Sequence, residues 1–331
     1  MTQSTALAPA TAGVSARRRL LRLVAIAACL PYLCLKVAWI AGSHAGIPDG
    51  SPLLEHRVTM IVANGLTVLM DAAVVVLALL LTRPWGRRVP AWLLAVPMWI
   101  ATGLLAPIMA GFPAQLVLDA VRGGGAAGAG DKPYLAGWVF SVVYGGFIVQ
   151  GLALGTLFAG YARDRWGHLW RGRVRELPAL GTAREAVSAR RTTAVVAAVA
   201  LFPAGTRALW ACGGTAGLGA SHPGGRLMDL LMAVSLTAAV LGTGLLALRR
   251  GSGLPVAVPL ALAWTGSGAA ACWGAWMALG SLTVAQDAAV RPTATLTLTY
   301  AGQVITGFLV ACLAARFLAD RSVKARACAG R

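Results

Sequence analysis

Long apolar stretches alternate with short polar ones along the whole chain. Eight stretches stand out, at roughly 20–41, 58–82, 90–110, 136–160, 193–213, 227–248, 255–279 and 295–318. A helix needs about 20 apolar residues to cross a ~30 Å hydrocarbon layer, and each stretch is long enough. The pattern predicts an all-α polytopic membrane protein with eight transmembrane helices. The first stretch is too long for a signal-peptide core, and no small-residue cleavage site follows it, so it reads as a retained helix.

Composition strengthens this reading. Of 331 residues, 58% are hydrophobic and 12% charged, and the mean hydropathy is +0.72. Soluble domains carry about twice that share of charge. A disordered chain, a secreted disulfide scaffold and an ordinary cytosolic enzyme are excluded. The net charge of +18 does not indicate a nucleic-acid partner. The 29 basic residues, nearly all arginine, form clusters between the apolar stretches rather than one basic face. Arg17–Arg22, Arg83–Arg88, the segment 161–192, Arg249–Arg250 and the tail from Arg316 all fall on one side of an eight-span topology. Positive charge is retained on the cytoplasmic side, so both termini are expected in the cytoplasm of a bacterial cytoplasmic membrane.

The segment 161–192 divides the chain. It separates a repeat at 20–160 from a second at 193–318, with cytoplasmic tails at 1–19 and 319–331. Two readings apply to it: a solvated, topology-setting linker, or a short interfacial helix over Arg184–Arg191 on anionic lipid.

The two halves match one another. Lys36, Trp39, Gly42 and Gly46 align with Arg207, Trp210, Gly213 and Gly217 at a constant offset of 171. Pro90, Trp99 and Gly103 align with Pro255, Trp264 and Gly268 at 165. Tyr144, Gly146, Gly151, Asp164 and Arg165 align with Tyr300, Gly302, Gly307, Asp320 and Arg321 at 156. The offset shrinks in outer loops, including the Gly123–Gly130 tract, where length changes are tolerated. Two units of four helices have the same orientation, so a pseudo-two-fold axis along the membrane normal is expected.

The shared pattern at the ends of the first and fifth stretches resembles that of a family of small, uncharacterised actinobacterial four-helix membrane proteins with a Trp-x-x-Gly-Gly signature. Gly213 and Gly214 fit the signature; Gly42 is followed by Ser43, a departure. The arginine-rich, alanine- and glycine-rich composition fits a GC-rich genome of that kind. The resemblance implies a four-helix fold, here duplicated, and no activity.

Lys36 and Trp39, with Arg207 and Trp210, are the candidate ligand-binding residues. Each cation lies about a turn and a half inside its apolar stretch, where an unpaired charge is expensive. Three readings compete: cations holding an anionic ligand or lipid headgroup, snorkelling with indole belt anchors, and ion pairs with Glu55, Asp229 or another outer acid. Asp71 is the deepest acid and the candidate proton-coupling residue; its alternative is a protonated carboxyl bonded to a nearby hydroxyl or carbonyl. The repeat places its counterpart near Thr237, so the second half is expected to lack it. Gly151 with Gly155, and Gly307 with Ala311, have the small-residue spacing of close helix packing. Asp164–Arg165 and Asp320–Arg321 read as interfacial anchors or as exchanged ion pairs. Pro97, Pro107 and Pro259 predict kinks.

No metal or cofactor is expected. His44, His56, His168 and His222 lie in loops, and the six cysteines include no C-x-x-C. There is no Walker loop, His-box or H-E-x-x-H, and Ser267 lacks the surroundings of a nucleophile. The expected function is therefore binding or transport of a small amphipathic or anionic molecule, coupled to protons through Asp71. The alternatives are a non-catalytic membrane scaffold, complex subunit or immunity protein, and a lipid-modifying enzyme. A cavity between the halves lined by Asp71 and the cations would mark transport, and a filled interface a scaffold.

Overall fold

The computed structural model describes residues 15–49, 51, 54, 57–121, 135–178, 182–219, 225–251, 253–284 and 292–329. Expectations for Glu55, His56, His222 and the Gly123–Gly130 tract lie outside these residues, as do those for the side chains of Lys324, Arg326 and Cys328. Among the described residues there are eight long helices and no strand. They are α1 (Ala16–Ile40), α2 (Arg57–Thr82), α3 (Ala91–Val121), α4 (Gly137–Trp166), α5 (Ala183–Ala211), α6 (Gly225–Ala247), α7 (Ala257–Val284) and α8 (Ala294–Ala329). Seven of them are long and apolar enough to cross a bilayer, as befits an integral membrane protein. The eighth, α7, is less apolar because its middle runs Trp264-Thr-Gly-Ser-Gly-Ala-Ala-Ala-Cys-Trp273.

That composition reflects where α7 sits. It packs on α3, α6 and α8 at once, and Gly266–Ala271 are buried consecutively, so the middle of the helix is enclosed on every side. Small residues allow this. A β-carbon at Gly266 would stand 2.4 Å from the Ser235 carbonyl oxygen on α6, and one at Gly307 of α8 would stand 2.6 Å from that of Ser267. On the third side, a β-carbon at Gly103 of α3 would lie 2.3 Å from the Gly268 carbonyl oxygen. Across this α3–α7 crossing the indoles bond reciprocally. Trp99 Nε1 donates to Ser267 Oγ at 2.9 Å, and Trp264 Nε1 donates to Thr102 Oγ1 at 3.3 Å. The crossing is filled.

Several helices overrun the apolar stretches. Continuous helix reaches Val121, Trp166 and Ala329, and α5 begins at Ala183. Hydropathy marks where lipid would end, whereas Ala, Leu and Arg keep good helix propensity beyond it. Thr182 caps α5 by accepting from the Glu185 amide. Arg184–Arg191 is thus the first part of α5 rather than a separate interfacial helix. Pro97 and Pro107 lie inside α3 with Pro113, but Pro259 falls in the first turn of α7, where a missing N–H costs nothing.

In the described part of the connection between α4 and α5, Arg171, Arg173 and Arg175 are exposed while Val174 and Leu177 are buried. Val174 is 0% exposed and packs with Leu177, Leu246 and Val256. The Val174 amide donates to Leu254 O at 2.9 Å, and the Val256 amide to Gly172 O at 3.0 Å. The segment is stitched to the start of α7 at the arginine-rich end of the bundle. Val174→Ala should cost about 2 kcal/mol and expose the connection to trypsin at Arg173 and Arg175. A variant as trypsin-resistant as the wild type would show that this packing does not hold the segment down.

Candidate functional site

The Lys/Arg-x-x-Trp-x-x-Gly-x-x-x-Gly pattern builds the same corner twice. At the end of α1, the Gly42 amide donates to Trp39 O and the Ser43 amide to Ala38 O. At the end of α5, Gly213 donates to Trp210 O and Gly214 to Leu209 O. Both are left-handed helix ends, with φ of 97° at Gly42 and 94° at Gly213, a conformation that favours glycine. The indole then pins the loop beyond. Trp39 Nε1 donates to Ala45 O at 2.8 Å, and Trp210 Nε1 to Ala216 O at 3.0 Å. Gly46 and Gly217 follow with φ of 74° and 75°. A β-carbon there would meet Val139 at 2.4 Å in the first case and Thr295 at 2.5 Å in the second, so each corner docks on the first turn of α4 or α8. Arg57 and Arg226, near the starts of α2 and α6, bring their guanidinium groups beside Gly42 and Gly213. A cation there favours the negative end of the helix dipole.

The cation of each pattern points into its own helix group. In a helix the Cβ leans toward the N-terminus, so Lys36 and Arg207 lean away from the nearby helix ends and inward. Lys36 is 1% exposed and Arg207 2%. Lys36 Nζ lies 2.7 Å from Asp71 Oδ2 and 3.4 Å from the centre of the Tyr32 ring. Arg207 Nη1 lies 2.6 Å from Asp229 Oδ1, and Nη2 donates to Gln303 Oε1 at 3.1 Å. Its guanidinium also lies over Trp210 and Tyr300. Of the three readings the sequence allowed, the geometry is that of ion pairs: Arg207 takes Asp229, which that reading named, and Lys36 takes Asp71, which it did not.

Asp71 therefore faces an ammonium rather than a hydroxyl or a carbonyl. The second half does have a counterpart, at Asp229 rather than near Thr237. Asp71 lies fourteen residues past the start of α2, whereas Asp229 lies four past the start of α6. At about 1.5 Å per residue, an acid can keep its partner while its register moves by several turns.

The packing residues divide. A β-carbon at Gly151 would lie 2.4 Å from the Met109 sulfur, so α4 is close to α3 there. Gly155 has nothing within 4 Å, and with Met98, Leu105, Met109 and Gly151 it lines a cavity of about 410 Å³ between α3 and α4. Gly307 presses on Ala271 of α7, and Ala311 is half-buried on α8. Asp164 pairs with Arg18, while Arg165 donates to Val89 O at 2.8 Å and to the Tyr161 hydroxyl. Arg321 donates to Arg171 O at 3.4 Å. No ion pair between the halves joins these four residues among the described ones.

Sequence reasoning missed Gln303, Tyr32 and the Arg57–Arg226 pair. The two arginines were open to it, since both open the helix that follows the shared pattern. Gln303 carried no signal, because its counterpart at the same offset is Phe147. Among the described residues, five buried side-chain polar atoms have no hydrogen-bond partner: Gln150 Oε1, Arg207 Nε, Arg249 Nε, Gln303 Nε2 and Thr306 Oγ1. Compared with protein families, with curated proteins and with solved structures, the chain matches none.

Proposed function

We propose that this protein is a non-catalytic scaffold or complex subunit of the bacterial cytoplasmic membrane. In this reading it is made of two duplicated four-helix units that cross the bilayer eight times, α7 included. The observation that carries it is the glycine-tight, indole-bonded α3–α7 crossing. It supports a filled joint between the units, and the reciprocity of its bonds supports a pseudo-two-fold axis through it. Transport of a small anionic or amphipathic molecule, with protons moving through Asp71, would call for Lys36, Arg207 and Asp71 on a shared cavity. Each of the three is instead engaged in an ion pair within its own unit. The kinship with actinobacterial four-helix proteins belongs to the same proposal, supported by the two matching corners.

Proteoliposomes loaded with a pH-sensitive dye test it. Under this reading they hold an imposed proton gradient as well as empty vesicles do. A leak that Asp71→Asn abolishes would overturn it in favour of transport. For the topology, reporter fusions after residues near 50, 125, 220 and 287 should read as external, and those near 86, 175 and 251 as cytoplasmic. One reversed site would remove the parallel orientation of the units.

A further inference from the structure

At the arginine-rich end, a cavity of about 350 Å³ lies between the α4–α5 connection, the α6–α7 turn and α8. Its lining includes His168, Glu176, Arg249, Phe317, Asp320 and Arg321. We propose that this cavity binds a phosphate group through Arg249 and Arg321.

The backbone at Arg249 is the first support. The Arg250 amide donates to Leu245 O at 3.1 Å, so Arg249 takes the left-handed position just past the end of α6, with φ of 54°. α1 and α5 put glycine at that position, as Gly42 and Gly213. Arginine there is strained, and strain of this kind is retained where a side chain must be aimed. The second support is the Nε of Arg249, which is buried and has no hydrogen-bond partner among the described residues. Two guanidinium groups share the cavity. Burial, and behind it the like charge of Arg321, hold the Arg249 guanidinium below its ordinary range, while Glu185 opposes them. An anion between the two groups would relieve both effects.

The acids on the cavity wall leave room for it. Glu176 is occupied by its own turn, accepting from the Arg173 amide at 3.0 Å and lying 3.9 Å from Arg175. Asp320 is exposed. Guanidinium forks match phosphate oxygens in pairs. Phe317 supplies an apolar wall, and Arg321 lies three residues beyond the apolar stretch of α8, which ends near residue 318. That is headgroup depth, where basic pockets between helices take anionic lipids. A phospholipid headgroup and a free phosphate offer the same chemistry to the two arginines. The site does not depend on whether the protein is a scaffold or a transporter.

The test uses the full chain in phosphatidylcholine vesicles doped with phosphatidylglycerol. Retained phosphatidylglycerol is titrated by native mass spectrometry, with and without inorganic phosphate as competitor. Arg249→Gly removes the guanidinium and relieves the strained backbone. It should melt no lower than the wild type and yet bind about tenfold more weakly, the usual effect of losing one charged hydrogen-bonding group. Arg321→Gln should weaken binding similarly, and Arg249→Lys by less. Competition by inorganic phosphate would identify phosphate itself as the ligand; weakening without competition would identify the lipid headgroup. If Arg249→Gly melts lower, Arg321→Gln decides. Equal phosphatidylglycerol affinity in the wild type and the variants would overturn the proposal.

Discussion

Asp229→Asn should be the most damaging single substitution in this protein, at about 5 kcal/mol, with Asp71→Asn next at about 3 kcal/mol. Both remove the acid of a buried ion pair and leave a cation among apolar helices. The two cations differ in what they can then do. A lysine ammonium can release its proton and become neutral, whereas arginine keeps its charge at any accessible pH. Arg207 would retain Gln303 Oε1 as an acceptor, but no carboxylate in place of Asp229. Thermal unfolding in detergent, followed by circular dichroism, gives the order. Replacing both members, as in Lys36→Met with Asp71→Leu, should recover most of the loss, since an apolar pair of similar volume often equals a buried ion pair. If Asp71→Asn unfolds like the wild type, Lys36 and Asp71 are not joined as described, and proton coupling through a neutral Asp71 regains its footing.

The second large effect should come from Gly103→Leu. A β-carbon alone would stand 2.3 Å from the Gly268 carbonyl oxygen and 2.4 Å from its carbon. Both are backbone atoms of the enclosed helix α7, so no side chain can swing aside. The clash can be relieved only by moving α3 away from α7, at a cost of about 3 kcal/mol or more. That movement would also break the bonds from Trp99 to Ser267 and from Trp264 to Thr102. A red shift in tryptophan emission should therefore accompany the lower melting temperature. Gly155→Ala is the matched control. With nothing within 4 Å of the new methyl, it should be neutral or stabilise by up to about 1 kcal/mol. Equal behaviour of the two variants would mean that the α3–α7 crossing is not the tight joint on which the scaffold reading rests.

The repetition of the corner was legible in the residues, but its geometry was not. The spacing from Trp39 to Gly42 and Gly46, repeated at Trp210, Gly213 and Gly217, is the spacing that a left-handed helix end and an indole-pinned loop require. What each corner does with its cation was not legible. Whether Lys36 turns to lipid, to a ligand or to an acid depends on which helix lies beside it, and no local pattern records that. The packing within the connection at 167–178 was not legible for a related reason. Its arginines look solvated, but Val174 and Leu177 between them fill a gap that exists only once α6, α7 and α8 have come together.

Hydropathy adds up locally along a chain, because each residue meets lipid or water largely on its own account. The sequence by itself therefore determined that this is a helical membrane protein and where its helices lie to within a few turns. Contacts between helices depend on slide and rotation about their axes, which cost little to change in an isolated helix and are settled only by mutual packing. So the tertiary structure alone decided that Asp71 and Asp229 serve equivalent cations from unequal positions along their helices, that α3 and α7 close on each other through glycine, and that Arg249 and Arg321 share a cavity.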